Sequence, residues 1–459
     1  MIATDNGIRR LGAFATETVD ALKANSYKQR RPMLAMVTVA VGIASGLGGM
    51  GLGLLLKVVQ HITYGYSLHT IVGGESFLHG VSAASGLRRF VALCVCGLVA
   101  GVGWWLLYRF GRPLVSVSRA LKENRPDMPF LGTTVHALLQ IGTVGLGSPL
   151  GREGAPRELG AVMAQLLSQS VGLSLESTRI MIACGAGAGL AAVYNVPLGG
   201  TLFTLEVLLG TFSVSALLPA LATSVIATVV AWVGLGTGPQ YLVPPFALST
   251  SLVVWSIVMG PVFGLAAYLF VRVTQVARAH TAGGWHRLAW CAVVFPAIGL
   301  LAIRFPQLLG NGKGIVQAGF ENDISLGLAT TLFFLRLIIV MGALRAGAAG
   351  GLLTPGLSIG GLLGIVLGSF WNSAWPAGSL GVFAIVGAAT FLASSMRMPL
   401  TAIVLTLELT HVSHDFLVPM SLAIAGSFSV FLLCTRHSLQ RISKPAPVAL
   451  HQLLRETFQ

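Results

Sequence analysis

The chain has 459 residues, of which 54% are hydrophobic and only 10% charged, whereas a soluble globular chain carries about 25% charged residues. That balance excludes a soluble enzyme. The formal charge of +14 would suit nucleic acid, but the basic residues sit at the ends of apolar segments, as loops under the positive-inside rule require, so no nucleic-acid partner is expected.

Residues 1–32 are polar and basic, with Arg9, Arg10, Lys23, Lys28, Arg30 and Arg31 ahead of the first apolar run. They read as a cytoplasmic N-terminal segment, a surface helix without the cleavage pattern of a signal peptide. Apolar runs long enough to cross a bilayer, or half of it, then recur at 33–59, 90–108, 214–236, 252–273, 288–303, 329–344 and 379–395. Arg436, Arg441, Lys444 and Arg455 follow the last run, in a tail over 435–459. Both termini are therefore expected in the cytoplasm, on a multi-pass protein of the cell (inner) membrane in contact with lipid, with no soluble regulatory domain after the last run. Arg88 and Arg89 do not fit this topology, and the sequence offers no account of them. The cysteines Cys94, Cys96, Cys184, Cys291 and Cys434 are odd in number and lie in or beside apolar runs. They read as packing residues; neither a disulfide framework nor a metal site is expected, and no cofactor.

An internal repeat is legible. GAGAGLAAVYNVPLGGTLFTLEV at 185–207 lies over GAATFLASSMRMPLTAIVLTLEL at 387–409, with Pro197 over Pro399 and Glu206 over Glu408. GREGAPRELGA at 151–161 lies over GLLTPGLSIGG at 351–361, with Gly160 over Gly360, at nearly the same offset. Two copies, 33–235 and 250–434, are predicted, each with hydrophobic segments interrupted by Gly and Pro, as in transporters whose binding sites lie at such breaks.

A carboxylate inside a membrane segment costs about 2.5–3.5 kcal/mol on insertion scales, so Glu153, Glu158, Glu206 and Glu408 each need a reason. Glu153 alone sits among glycines, Gly145, Gly147, Gly151 and Gly154, ahead of a helix expected to start near Pro156. Such a turn presents free backbone N–H groups at the positive end of a helix, which bind an anion weakly enough to release it. The repeat-related turn 350–355 offers a second set of donors. The Glu153 carboxylate would compete with the anion for them; alternatively it caps a helix or pairs with Arg152 or Arg157. Glu206 and Glu408 recur in both copies and are expected to serve packing and hydrogen bonding. Neither an H-E-x-x-H motif nor paired intramembrane aspartates suggest an enzyme.

GREGAPRELG at 151–160, ACGAGAGLAAVYNVPLGGTLFTLEV at 183–207, GGLLTPG at 350–356 and RMPLTAIVLTLELT at 397–410 resemble the CLC family of chloride channels and chloride/proton exchangers. The resemblance implies an all-α membrane fold of two inverted repeats with tilted, broken helices, assembled as a homodimer with one pore per subunit. It implies chloride transport, as a gated channel or a chloride/proton antiporter, with Glu153 as the gating glutamate. The backbone amides of Arg152, Glu153, Gly154, Leu352 and Leu353 match the anion-coordinating donors. The sequence departs from the pattern in four places, one of them Leu353, which stands for the phenylalanine of the G-x-F-x-P motif and should preserve its backbone contact. Gly111-Arg112-Pro113-Leu114-Val115 lacks the central serine of the first anion motif, leaving Arg112 either at the inner mouth or as a positive-inside arginine. Gln440 falls near the inner tyrosine, and Val207 replaces the inner glutamate that feeds protons in many exchangers. Fluoride export and a non-conducting membrane scaffold are the alternative readings.

Overall fold

A computed structural model describes residues 3–66, 76–123 and 127–443, with side chains from 32 to 436 within those ranges. The first half of the chain forms α1 (Ala3–Tyr64), α2 (Phe77–Ala83), α3 (Gly86–Phe110), α4 (Val117–Ala120), α5 (Phe130–Gly145), α6 (Gly154–Ser170), α7 (Leu175–Tyr194), α8 (Pro197–Leu202) and α9 (Val214–Leu235). The second half forms α10 (Thr250–Ala279), α11 (His286–Arg304), α12 (Lys313–Phe320), α13 (Leu326–Ala346), α14 (Leu353–Ala374), α15 (Leu380–Met396), α16 (Pro399–Thr410) and α17 (Leu417–Ser443). Among the described residues nine helical segments are long and apolar enough to cross a bilayer, from Pro32–Tyr64 to His414–Arg436. Serine hydroxyls start many of the helices: Ser85, Ser174, Ser249, Ser325 and Ser379 each accept a backbone N–H of the first turn.

α1 runs unbroken through Pro32, so the N-terminal segment and the first apolar run share one helix. Arg88 and Arg89 gain their explanation from the tertiary fold. Arg88 donates to the carbonyls of Thr63 at 2.6 Å and Ile62 at 2.9 Å, closing the end of α1, and Arg89 donates to Ala302 O at 3.0 Å near the end of α11. Both satisfy carbonyls that a helix terminus leaves open, with a positive charge at its negative pole.

Equivalent helices pack in equivalent ways. α6 lies on α7 as α14 lies on α15, α1 on α9 as α10 on α17, while α3 and α11 pack against each other across the halves. Glycine sets the closest crossings. A Cβ on Gly160 would strike the carbonyl of Gly185, and one on Gly360 would come within 2.7 Å of Gly387 O, so both helix pairs meet backbone to backbone at matching positions.

Glu206 and Glu408 exchange caps between the copies. Glu408 accepts the amides of Leu198 at 2.9 Å and Gly199 at 2.6 Å at the start of α8. Glu206, in the π-helical stretch Phe203–Leu209 that continues α8, accepts the amides of Leu400 at 3.1 Å and Thr401 at 2.7 Å and the Thr401 hydroxyl at 2.6 Å at the start of α16. Each carboxylate thus has the hydrogen-bonding role expected of it, on the opposite half. Glu408→Ala should lower stability by about 2–4 kcal/mol, because two charge-assisted bonds go and two helix-start amides lose their acceptor. The measurement is the denaturation midpoint in detergent; Glu206→Ala should lower it by a similar amount.

Candidate functional site

The turn between α5 and α6 is held from three sides. Tyr64 Oη donates to Leu146 O at 2.9 Å, Gly310 N to Gly147 O at 3.0 Å, and Arg336 Nη2 to Pro149 O at 3.0 Å. Gly147 takes φ +113, a conformation that a residue with a Cβ adopts only with strain. The turn then meets its repeat equivalent directly. Gly151 N donates to Gly351 O at 2.8 Å and Gly351 N to Gly151 O at 2.9 Å, an antiparallel bridge between matching positions of the two copies. Two copies related by a twofold axis through that point produce this pairing. It brings the starts of α6 and α14 together.

Glu153 is the cap residue of α6, which begins at Gly154, two residues earlier than the Pro156 start expected from sequence. Its side chain does not cap its own helix. It is fully buried and crosses to the other copy, where Oε1 accepts the Leu353 amide at 2.5 Å, while Oε2 accepts the Tyr194 hydroxyl at 3.4 Å. Pairing with Arg152 or Arg157 is not what the structure shows among the described residues. Arg152 lies over the Tyr194 ring at 4.8 Å and reaches Gln240 Oε1 at 3.3 Å, and Arg157 lies over Phe203 at 5.0 Å. The carboxylate rests on the bare backbone of Gly151 and Gly351, where a Cβ on either would collide with it.

The amides of Arg152, Glu153, Gly154 and Leu352 have no protein acceptor among the described residues, and that of Leu353 has only the Glu153 carboxylate. A carboxylate therefore occupies one of several N–H donors that two helix starts present at one place. Protonation turns it into a weaker acceptor and releases the Leu353 amide to another anion. Glu158 lies apart, accepting from His136 at 2.7 Å and Gln140 at 3.0 Å on α5.

Arg112 is in an exposed ion pair with Asp127 at 3.1 Å, on the rim of an open pocket of about 280 Å³. Gln440 falls in the last turn of α17, where side chains lie outside the described residues. Val207 packs against the hydrophobic core. Tyr194 was not singled out from the sequence. It is the last residue of α7, directly before Asn195 at φ 56, and bonds Thr354 Oγ1 at 3.1 Å as well as Glu153. Its one sequence signal is a hydroxyl inside an apolar run. Tyr194→Phe should raise flux through a Glu153-limited path about fivefold, since losing a bond of about 1 kcal/mol weakens the hold on the carboxylate. Unchanged flux in liposomes would assign the hydroxyl to Thr354 alone.

Residues 92–431 match the family described as Voltage gated chloride channel. The H(+)/Cl(-) exchange transporter ClcA of Klebsiella pneumoniae subsp. pneumoniae is 31% identical over 427 residues, covering 89% of this chain and 88% of that protein. A crystal structure of a slow cyanobacterial Cl-/H+ antiporter aligns with a TM-score of 0.77 at 20% identity, over 90% of this chain and 99% of that one. That of a CLC-type fluoride/proton antiporter aligns with a TM-score of 0.68 at 22% identity, over 86% and 94%. The fold is thus the CLC-type arrangement of two inverted repeats.

Proposed function

Since the chain belongs to the voltage-gated chloride channel family, we propose that it carries chloride through the membrane along the path that Glu153 closes, in exchange for protons. The observation that carries this reading is the Glu153 carboxylate bonded to the Leu353 amide across the two copies. The carboxylate stands in for a bound anion: it is buried, singly negative, and held by the Leu353 N–H and the Tyr194 hydroxyl, beside further free amides that an incoming chloride would use. In this reading the amides of Arg152, Glu153, Gly154, Leu352 and Leu353 bind the chloride. A proton arriving at Glu153 frees the site, and the departing anion lets the carboxylate return.

With Val207 at the inner position, the proton's inward route uses water or another group. The reading needs no cofactor. A homodimer in the inner membrane with both termini cytoplasmic belongs to it, and exposed apolar residues such as Val225, Val229 and Val233 on α9 suit either a partner subunit or lipid.

The test is a flux assay on purified protein in chloride-loaded liposomes, recording chloride efflux and external pH together. Chloride efflux that drives proton uptake supports exchange. Efflux without proton movement makes the chain a passive channel, and a fluoride flux without chloride flux makes it a fluoride transporter. No anion flux at all leaves the scaffold reading.

A further inference from the structure

We propose that the groove between α3 and α11 holds one anionic phospholipid of the surrounding bilayer, with an acyl chain along its small residues and the phosphate among Arg109, Arg287 and Arg345. The two helices run antiparallel in close contact because glycines allow it. A Cβ on Gly97 would stand 2.6 Å from Cys291 O, one on Gly101 3.1 Å from Leu288 Cα, and one on Gly86 3.1 Å from Ile303 Cγ2. The end of α3 therefore lies beside the start of α11. Along that crossing Cys94, Leu98 and Val102 on one side and Ala289, Ala292 and Pro296 on the other leave an open, apolar groove of about 490 Å³. Leu98 in its wall and Val293 next to Ala292 are both exposed, so the groove opens away from the core.

The groove leads to a cluster of cations. Leu98, Val102, Trp105 and Arg109 follow one another at helical spacing along one face of α3, which sets Arg109 at the groove's end. Arg287, in the first turn of α11, lies over the Tyr108 ring at 4.5 Å, and its Nε is buried without an acceptor beside Gly347. Arg345, in the last turn of α13, lies over the Trp290 ring at 5.7 Å. Three helices thus bring a guanidinium each to one mouth, and among the described residues no carboxylate is within ion-pair distance of any of them. The aromatic rings add attraction but no negative charge. Phosphate oxygens match the guanidinium fork, while a headgroup that also carries an ammonium would add a further positive charge to the cluster, so a net negative headgroup is favoured.

Depth follows from the aromatic residues and from length. Tyr108, Trp285 and Trp290 are exposed at this end of the two helices, where such side chains mark the edge of a bilayer. Arg109 lies fifteen residues beyond Cys94 on α3, about 22 Å at the helical rise. One leaflet with its headgroups measures roughly 20–22 Å. A phosphate held at the arginines therefore puts its acyl chain alongside the groove. The proposal needs only the membrane-spanning fold and stands apart from the transport reading above.

The test is native mass spectrometry of the full-length protein released from vesicles of phosphatidylglycerol and phosphatidylcholine in equal amounts. The expected result is phosphatidylglycerol retained on each chain in about tenfold preference over phosphatidylcholine. In an Arg109→Gln, Arg345→Gln double variant that preference should fall to near equality, and Ala292→Phe, which fills the groove, should lower retention about fivefold. Equal retention of the two lipids by wild type overturns the proposal, as does a preference that survives the double variant. Retention untouched by Ala292→Phe, or inorganic phosphate held in place of lipid, overturns it by leaving an anion site without the acyl groove. Assembly of chains that Ala292→Phe abolishes overturns it by giving the groove a second copy as occupant. If a variant does not fold, phosphatidylglycerol with a photoreactive acyl chain decides on wild type: adducts within 94–102 and 288–296 support the site, and adducts only elsewhere overturn it.

Discussion

In Glu153→Gln, proton uptake driven by chloride efflux should fall at least tenfold, to the background of empty liposomes, while chloride efflux itself continues and loses its dependence on pH. The side chain keeps its shape but can no longer take or give up a proton. Its carbonyl still reaches the Leu353 amide, now as a neutral acceptor, and neutral hydrogen bonds are about half as strong as charge-assisted ones. A difference of about 1.4 kcal/mol shifts the competition for that amide roughly tenfold toward chloride. The buried position of Glu153, 0% exposed, makes the substitution a local one. Proton uptake that persists in the variant would remove Glu153 from the proton path, and chloride efflux that stops would mean that the charge itself is needed for passage.

Arg336→Leu should cost about 3–5 kcal/mol of stability and abolish flux in whatever fraction folds. Arg336, on α13, is fully buried, and donates to Leu308 O at 3.0 Å, Gly310 O at 2.9 Å and Pro149 O at 3.0 Å. The Gly310 loop in turn donates to Gly147 O. One guanidinium therefore ties the loop before α12 to the turn that aims Gly151 and Glu153 at the second copy. Removing it leaves three carbonyls short of a donor in a place that water reaches poorly. Arg336→Lys restores at most part of the fork, because an ammonium cannot present two parallel nitrogens to carbonyls from different loops. The denaturation midpoint in detergent should rank wild type above Lys and Lys above Leu. A Leu variant as stable as wild type would show that the apolar packing around position 336 suffices.

Much of the site was legible because its chemistry is local. A lone Glu between Gly151 and Gly154, at the start of a helix, announces free amides and a charge that has to be explained. The matching of Gly160 with Gly360 and of Glu206 with Glu408 showed two copies, since residues forced into close helix crossings and caps leave the same mark in both. The donor to the Glu153 carboxylate could not be read in this way. Whether its carboxylate would cap, pair or cross over depended on Leu353, two hundred positions away, and only the Gly151–Gly351 bridge decided it. The same holds for Arg88 and Arg89, whose purpose lies at the ends of α1 and α11.

By itself the sequence determined the membrane setting, the duplicated plan and the lone carboxylate in a glycine-rich turn at a helix start, because hydropathy, repetition and glycine placement act over stretches of ten to thirty residues. The tertiary structure alone decided which charges meet. Glu206 and Glu408 cap each other's half, Tyr194 reaches Glu153 from the end of α7, and Arg152 and Lys313 meet at Gln240. Hydrogen bonds and charge contacts are made over a few ångströms between segments far apart in the chain, and spacing along a sequence carries no record of that distance until the helices are packed.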